Sequence, residues 1–90
     1  MLDIVSSNRF KKDLKLAIRR GYKIELLENV VNLLASGKKL EPKYKDHELS
    51  GEFLGLRECH ITPDWLLVYQ IFDNELVLYL SRTGTHSDLF

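Results

Sequence analysis

Three histidines, one aspartate and one arginine are the residues of this 90-residue chain whose types and placement suggest chemistry. His47 falls in a polar stretch, His60 at the end of a strand-like segment and His86 in the C-terminal tail. Functional side chains concentrate at such loops and element ends. Asp64 follows His60 across the Pro63 turn, and Arg82 precedes Thr83-Gly84-Thr85-His86. Phosphodiester transesterification would use this set. A ribose 2′-hydroxyl must lose a proton, a pentavalent phosphorane must be stabilised, and a 5′-oxygen must gain a proton. Imidazole suits the proton steps, because its pKa of about 6.5 lies near neutrality. Guanidinium suits the phosphorane, because it stays protonated and donates paired hydrogen bonds. Such a scheme needs no metal and no cofactor.

Each of these residues also has an ordinary reading. A histidine in a small protein is commonly a surface or hydrogen-bonding residue. Asp64 after Pro63 is a normal turn residue, and Arg82 can simply pair with an acidic neighbour. Trp65 reads by default as a core residue, because large aromatics dominate cores, with base stacking as the alternative. Three histidines and an aspartate can ligate Zn²⁺ or Fe²⁺, but no His-x-x-x-His or Glu-x-x-His helical pair is present. Cys59 and His60 are adjacent in a strand-like segment, so their side chains point to opposite faces and do not pair.

The elements that must position these groups follow from apolar periodicity. Leu2, Ile4 and Val5 suggest a short first strand. Ser6, Ser7 or Asn8 caps a helix whose face is Phe10, Leu14, Ala17 and Ile18. Gly21 breaks it. A second helix over 23–36 carries Leu26, Leu27, Val30, Val31 and Leu34, and Gly37 stops it. Residues 38–51 read as a long polar loop. Strands follow over 53–60 and 65–72, with Thr62-Pro63-Asp64 as the turn between them. Asp73-Asn74 supplies a hairpin turn, and a last strand starts over 76–80. Residues 82–90 read as a short polar tail. The order β-α-α-β-β-β predicts an α+β fold, with two helices on one face of a mostly antiparallel sheet and the other face open. One domain spans 1–90.

Composition narrows the class. The chain is 44% hydrophobic and 29% charged, which excludes disordered and low-complexity sequences. No apolar run approaches the roughly 20 residues of a membrane-spanning helix, the N-terminus is too early-charged for a signal peptide, and a single cysteine fits a reducing cytoplasm. A net charge of zero conceals a division. Residues 1–45 hold eleven basic and five acidic side chains, a net +6, and residues 46–90 hold two and eight, a net −6. Lys11, Lys12, Lys15 and Arg19 lie largely off the apolar face of the first helix, placed to meet phosphates or merely water.

The stretches Tyr44-Lys45-Asp46-His47-Glu48-Leu49-Ser50-Gly51, Arg57-Glu58-Cys59-His60-Ile61-Thr62-Pro63-Asp64-Trp65 and Arg82-Thr83-Gly84-Thr85-His86-Ser87-Asp88-Leu89-Phe90 resemble the YafQ-type toxins of the RelE/ParE superfamily over essentially the whole chain. The resemblance implies a RelE-like fold and an endonuclease that cuts mRNA in the ribosomal A site, inhibiting translation. It also implies a cognate antitoxin partner in a hetero-oligomeric complex. It maps catalytic roles onto His47, His60, Asp64 and His86, phosphate contact onto Arg82, and aromatic substrate contacts onto Trp65 and Phe90. His86 would be the general acid. His47, His60 and Asp64 would deprotonate the 2′-hydroxyl. The basic helix would contact ribosomal RNA. Two competing classes are a ParE-like, non-enzymatic toxin that binds DNA gyrase and a regulatory binding module.

Overall fold

The computed structural model describes residues 1–90. Helix α1 (Asn8–Arg19) starts where the Ser7 hydroxyl accepts the Phe10 N–H, so Ser7 is the cap among the three candidates. Phe10, Leu14 and Ala17 face the core. Ile18 remains 56% exposed, because at about 100° per residue it sits at the margin of that stripe. Gly21, at φ +79°, ends the helix, with its own N–H bonded to Ile18 O and that of Tyr22 to Ala17 O. A left-handed residue closes the last turn in this way at little cost only when it is glycine. Helix α2 (Ile24–Ala35) buries Leu27, Val30, Val31, Leu34 and Ala35, whereas Leu26 stays partly exposed. Neither helix, nor any other, is long and apolar enough to cross a membrane.

The sheet has five strands in the order β1-β5-β4-β3-β2: β1 (Asp3–Ser6), β2 (His47–Glu48), β3 (Arg57–Thr62), β4 (Trp65–Phe72) and β5 (Val77–Gly84). Only the β1–β5 pair is parallel. The α+β fold is thus as expected, with three corrections to the elements. The 38–51 segment is not all loop, since it contains a 3₁₀ turn at Pro42–Tyr44 and the short edge strand β2. Residue 53 lies in a second 3₁₀ turn, Gly51–Phe53, and β3 begins four residues later than expected. The C-terminal segment is ordered: β5 runs through Arg82 to Gly84, and a single-turn helix α3 (His86–Leu89) follows. The Thr85 hydroxyl accepts the Asp88 N–H and the Asp88 carboxylate accepts the Thr85 N–H, a reciprocal cap that starts this helix.

The two faces of the sheet are both covered. Cys59, Ile61, Trp65, Leu67 and Tyr69 alternate onto the face packed against α1 and α2. Cys59 is fully buried, and burial pushes its thiol up to about 12, so this cysteine is a core residue and not a nucleophile. The expectation of an open second face needs correction. Leu66 and Val68 point to that side, yet they are only 2% and 3% exposed. The 49–56 loop and α3 meet there, with Phe53 edge-on to Phe90 at 5.3 Å. A Cβ on Gly55 would touch the Gln70 side chain at 3.6 Å, and Leu89 lies against Gly84.

Candidate active site

Strand register brings the residues together. His47 pairs with Glu58, Glu58 with Val68, and Val68 with Arg82, so one row crosses four strands. The adjacent row runs from His60 through Leu66 to Gly84, two residues before His86. Cross-strand partners share a face, so His47, Glu58 and His60 project together beside Leu66 and Val68. At about 4.8 Å between strands, Glu58 and Arg82 are separated by about 10 Å of backbone. Val68, between them in that row, is only 3% exposed, so a phosphodiester would meet the more exposed side chains of His47, His60 and Arg82 and not the strand surface itself.

Glu58 is the carboxylate between the two imidazoles. Its Oε1 lies 3.7 Å from His47 Nε2 and 3.8 Å from His60 Nε2. The residue is only 7% exposed. His47 Nδ1 is 2.7 Å from Lys45 O, and His60 Nδ1 is 3.3 Å from Pro63 O. Each ring therefore has its far nitrogen on a carbonyl, which favours a proton at Nδ1 and leaves Nε2 toward Glu58. Glu58 is not among the residues that the sequence singles out. The available signal was its position two residues before His60 in a strand, which places both side chains on one face.

Asp64 does not take this place. It is exposed on the β3–β4 turn and forms no ion pair with a histidine; instead it lines a groove of about 390 Å³ with Tyr22, Lys23, Leu26, Thr62 and Trp65. Trp65 belongs to the core. It is 3% exposed, its ring lies 5.0 Å from that of Tyr22, and its indole N–H is buried without a partner. Its burial against Tyr22 leaves little of the ring for a base to stack on. Phe90, in contrast, is 45% exposed, and its ring is tilted against that of His86 at 5.2 Å. His86 is exposed at the first turn of α3.

Both arginines of the acidic half are engaged. Arg82 donates from Nε and Nη2 to Asp13 of α1, at 2.7 and 3.1 Å. β1 ends at Ser6 opposite Leu80, which leaves β5 without an outer neighbour beyond that point. Asp13 fills the vacancy, because its Oδ2 also accepts the Thr83 N–H at 3.1 Å. The carboxylate holds the guanidinium pKa further above its already high value, although burial opposes this. Nη1 makes no hydrogen bond to the protein and remains available to a phosphate. Arg57 is bound to Asp46, which also accepts the Tyr69 hydroxyl. Burial, then Asp46, pushes the Tyr69 hydroxyl well above the ordinary phenol range. This cluster fixes the chain immediately before His47. Lys11, Lys12, Lys15 and Arg19 are exposed, and none forms an ion pair.

Residues 2–90 match the family described as bacterial toxin of type II toxin–antitoxin system, YafQ. The chain belongs to that family. It is 40% identical over 89 residues to the mRNA interferase toxin YafQ of Escherichia coli K12, covering 98% of this chain and 95% of that one. A crystal structure of a metal-bound toxin from Helicobacter pylori superposes with a TM-score of 0.94 at 51% identity, each chain covered in full. The toxin in the E. coli DinJ–YafQ toxin–antitoxin complex superposes with a TM-score of 0.89 at 40% identity, covering 99% of this chain and 97% of that one. As to a metal in this YafQ-family chain, no three His, Cys, Asp or Glu side chains converge closely enough to hold one. Glu58, His47 and His60 come nearest, with Glu58 Oε1 at 3.7 and 3.8 Å from the two Nε2 atoms, but they do not form a metal-holding group.

Proposed function

We propose that this YafQ-family toxin cuts mRNA in the ribosomal A site by attack of a ribose 2′-hydroxyl on the adjacent phosphate, and thereby inhibits translation in the cytoplasm. The observation that carries the reading is the pair of neighbouring register rows, His47–Glu58–Val68–Arg82 and His60–Leu66–Gly84, leading to His86. Two imidazoles stand at one side of this span, and an arginine and a third imidazole at the other.

The roles follow from placement. His47 or His60 accepts the 2′-hydroxyl proton through the Nε2 that faces Glu58. Glu58 takes the part expected of Asp64, accepting an imidazole N–H once a ring is protonated. Asp64, exposed on the β3–β4 turn, is assigned contact with the incoming strand through the groove that it lines. Arg82 offers Nη1 to the phosphorane while Asp13 holds its other edge. His86 donates a proton to the departing 5′-oxygen. Phe90 stacks on a base, which is worth about 1–3 kcal/mol per base in comparable contacts. The products are a 2′,3′-cyclic phosphate and a 5′-hydroxyl. The chemistry is an internal displacement, so water is not a reactant in this step.

The unpaired basic residues of α1 supply contact with ribosomal RNA, and a cognate antitoxin supplies neutralisation in a hetero-oligomeric complex, as DinJ partners the E. coli relative. The test replaces Lys11, Lys12 and Lys15 with Glu and measures ribosome co-sedimentation and growth inhibition on expression. Phosphate contacts dominate such affinities, so removing three should weaken binding by about tenfold or more at physiological salt. Toxicity should fall with it. Full ribosome binding and full toxicity in the triple variant would remove the role of this helix face. Uncut mRNA in cells expressing the natural chain would remove the nuclease reading altogether.

A further inference from the structure

We infer that Arg20 is a positioning residue for His86, acting through Asp88 to hold the single-turn helix α3 against the end of α1. The inference rests on the reading of His86 as the general acid. Arg20 grips Asp88 in a two-pronged contact, Nη1 to Oδ2 at 2.6 Å and Nη2 to Oδ1 at 3.2 Å. The same carboxylate accepts the Thr85 N–H at 2.9 Å. His86 lies on the turn that this carboxylate closes. Gly84 makes the fit close, because a Cβ there would lie 3.0 Å from Asp88 Oδ2.

Asp13 and Arg20 are seven residues apart, two turns along the same side of α1. Asp13 holds Arg82, and Arg20 holds Asp88, with a cleft of about 150 Å³ between the two pairs. The segment 82–88 is therefore clamped at both ends by one helix. A single helical turn does not hold itself in water. An exposed ion pair adds little to global stability, but here it decides the local order of the turn that carries the acid. Asp88, held far below the usual carboxylate range chiefly by Arg20, stays ionised throughout the working pH range.

The experiment compares the natural chain with Arg20→Ala, Arg20→Lys, Asp88→Asn and the Arg20→Ala/Asp88→Asn double variant. Amide ¹H–¹⁵N NOE values for residues 86–90 report local order, and single-turnover cleavage of ribosome-bound mRNA reports kcat and KM separately. Arg20→Ala should lower the NOE values, reduce kcat by on the order of tenfold or more, as small misplacements do, and leave KM within about twofold. The double variant should be no slower than the slower single one, and Arg20→Lys should recover part of the loss. Unchanged NOE values, an unchanged kcat, or a loss confined to KM would each overturn the inference. A fully active His86→Ala variant would instead remove the general-acid reading, and a slow His86→Ala beside a fast Arg20→Ala would remove the positioning role alone.

Discussion

Replacing His86 with alanine is expected to slow mRNA cleavage by about 10²–10⁴-fold, the usual contribution of a positioned general acid, with little change in the thermal midpoint. The stability expectation follows from the surroundings of the ring. His86 is exposed, its only aromatic neighbour is Phe90, and its imidazole makes no hydrogen bond to the protein. Its removal deletes almost no buried surface. The backbone of α3 is started by Thr85 and Asp88, neither of which is altered. Single-turnover cleavage beside a thermal melt measures both arms. His86→Gln should be equally slow, since an amide keeps the shape and a hydrogen bond but donates no proton at neutral pH. Cleavage within threefold of the natural chain would remove His86 from the reaction.

The second large effect is expected at Arg82. Arg82→Ala removes the charge facing the phosphorane, a loss that costs on the order of 10²–10³-fold where such donors have been deleted elsewhere. It also strands the Asp13 carboxylate, whose side chain is 14% exposed. Leaving a partly buried charge without its partner costs roughly 1–3 kcal/mol, so the melt should fall as well. Asp13→Asn separates the two consequences. The amide oxygen can still accept the Thr83 N–H, but the charge that orients Arg82 is gone. This variant should lose activity with a smaller fall in stability than Arg82→Ala. Equal activity in Asp13→Asn and the natural chain would show that Arg82 needs no orientation from α1.

The charge division acquires a structural meaning here. The acidic half contains two fixed cations, Arg57 and Arg82, and each is matched to a carboxylate, Asp46 and Asp13. On the proposed reading, the positive charge offered to the phosphate comes from Arg82 Nη1 and from whichever histidine carries a proton. The basic residues of α1, Arg9, Lys11, Lys12, Lys15 and Arg19, form no ion pair.

Much of this was legible in the residues. The helices announced themselves through 3.6-residue periodicity and through Gly21 and Gly37. The long β-rich run of β4 gave the central strand. β2 was not legible, because two residues contain no period, and it exists only through pairing with β3. The roof over Leu66 and Val68 was equally hidden, since its parts, around Phe53 and Phe90, lie far apart in sequence. The spacing Thr85-x-x-Asp88 is that of a helix cap hidden in what reads as a polar tail, and Arg20 lies 68 residues from Asp88 with nothing local to point to it. Asp64 stands beside a turn proline, a place where functional side chains are common, while Glu58 inside a strand looks like a solvated edge residue, and only the cross-strand pairing shows it between His47 and His60. Trp65 was open between core and base platform, and its burial against Tyr22 decides for the core.

The central claim is that the ribose 2′-hydroxyl of the message is the nucleophile. The most direct measurement uses ribosome-bound mRNA that carries a single 2′-deoxyribose immediately 5′ of the scissile phosphate, compared with the all-ribose message. A 2′-hydroxyl nucleophile requires no cleavage at that position, and a 2′,3′-cyclic phosphate with a 5′-hydroxyl from the all-ribose control. Cleavage of the deoxy-substituted message at the control rate would contradict it, since the attacking oxygen would then have come from water.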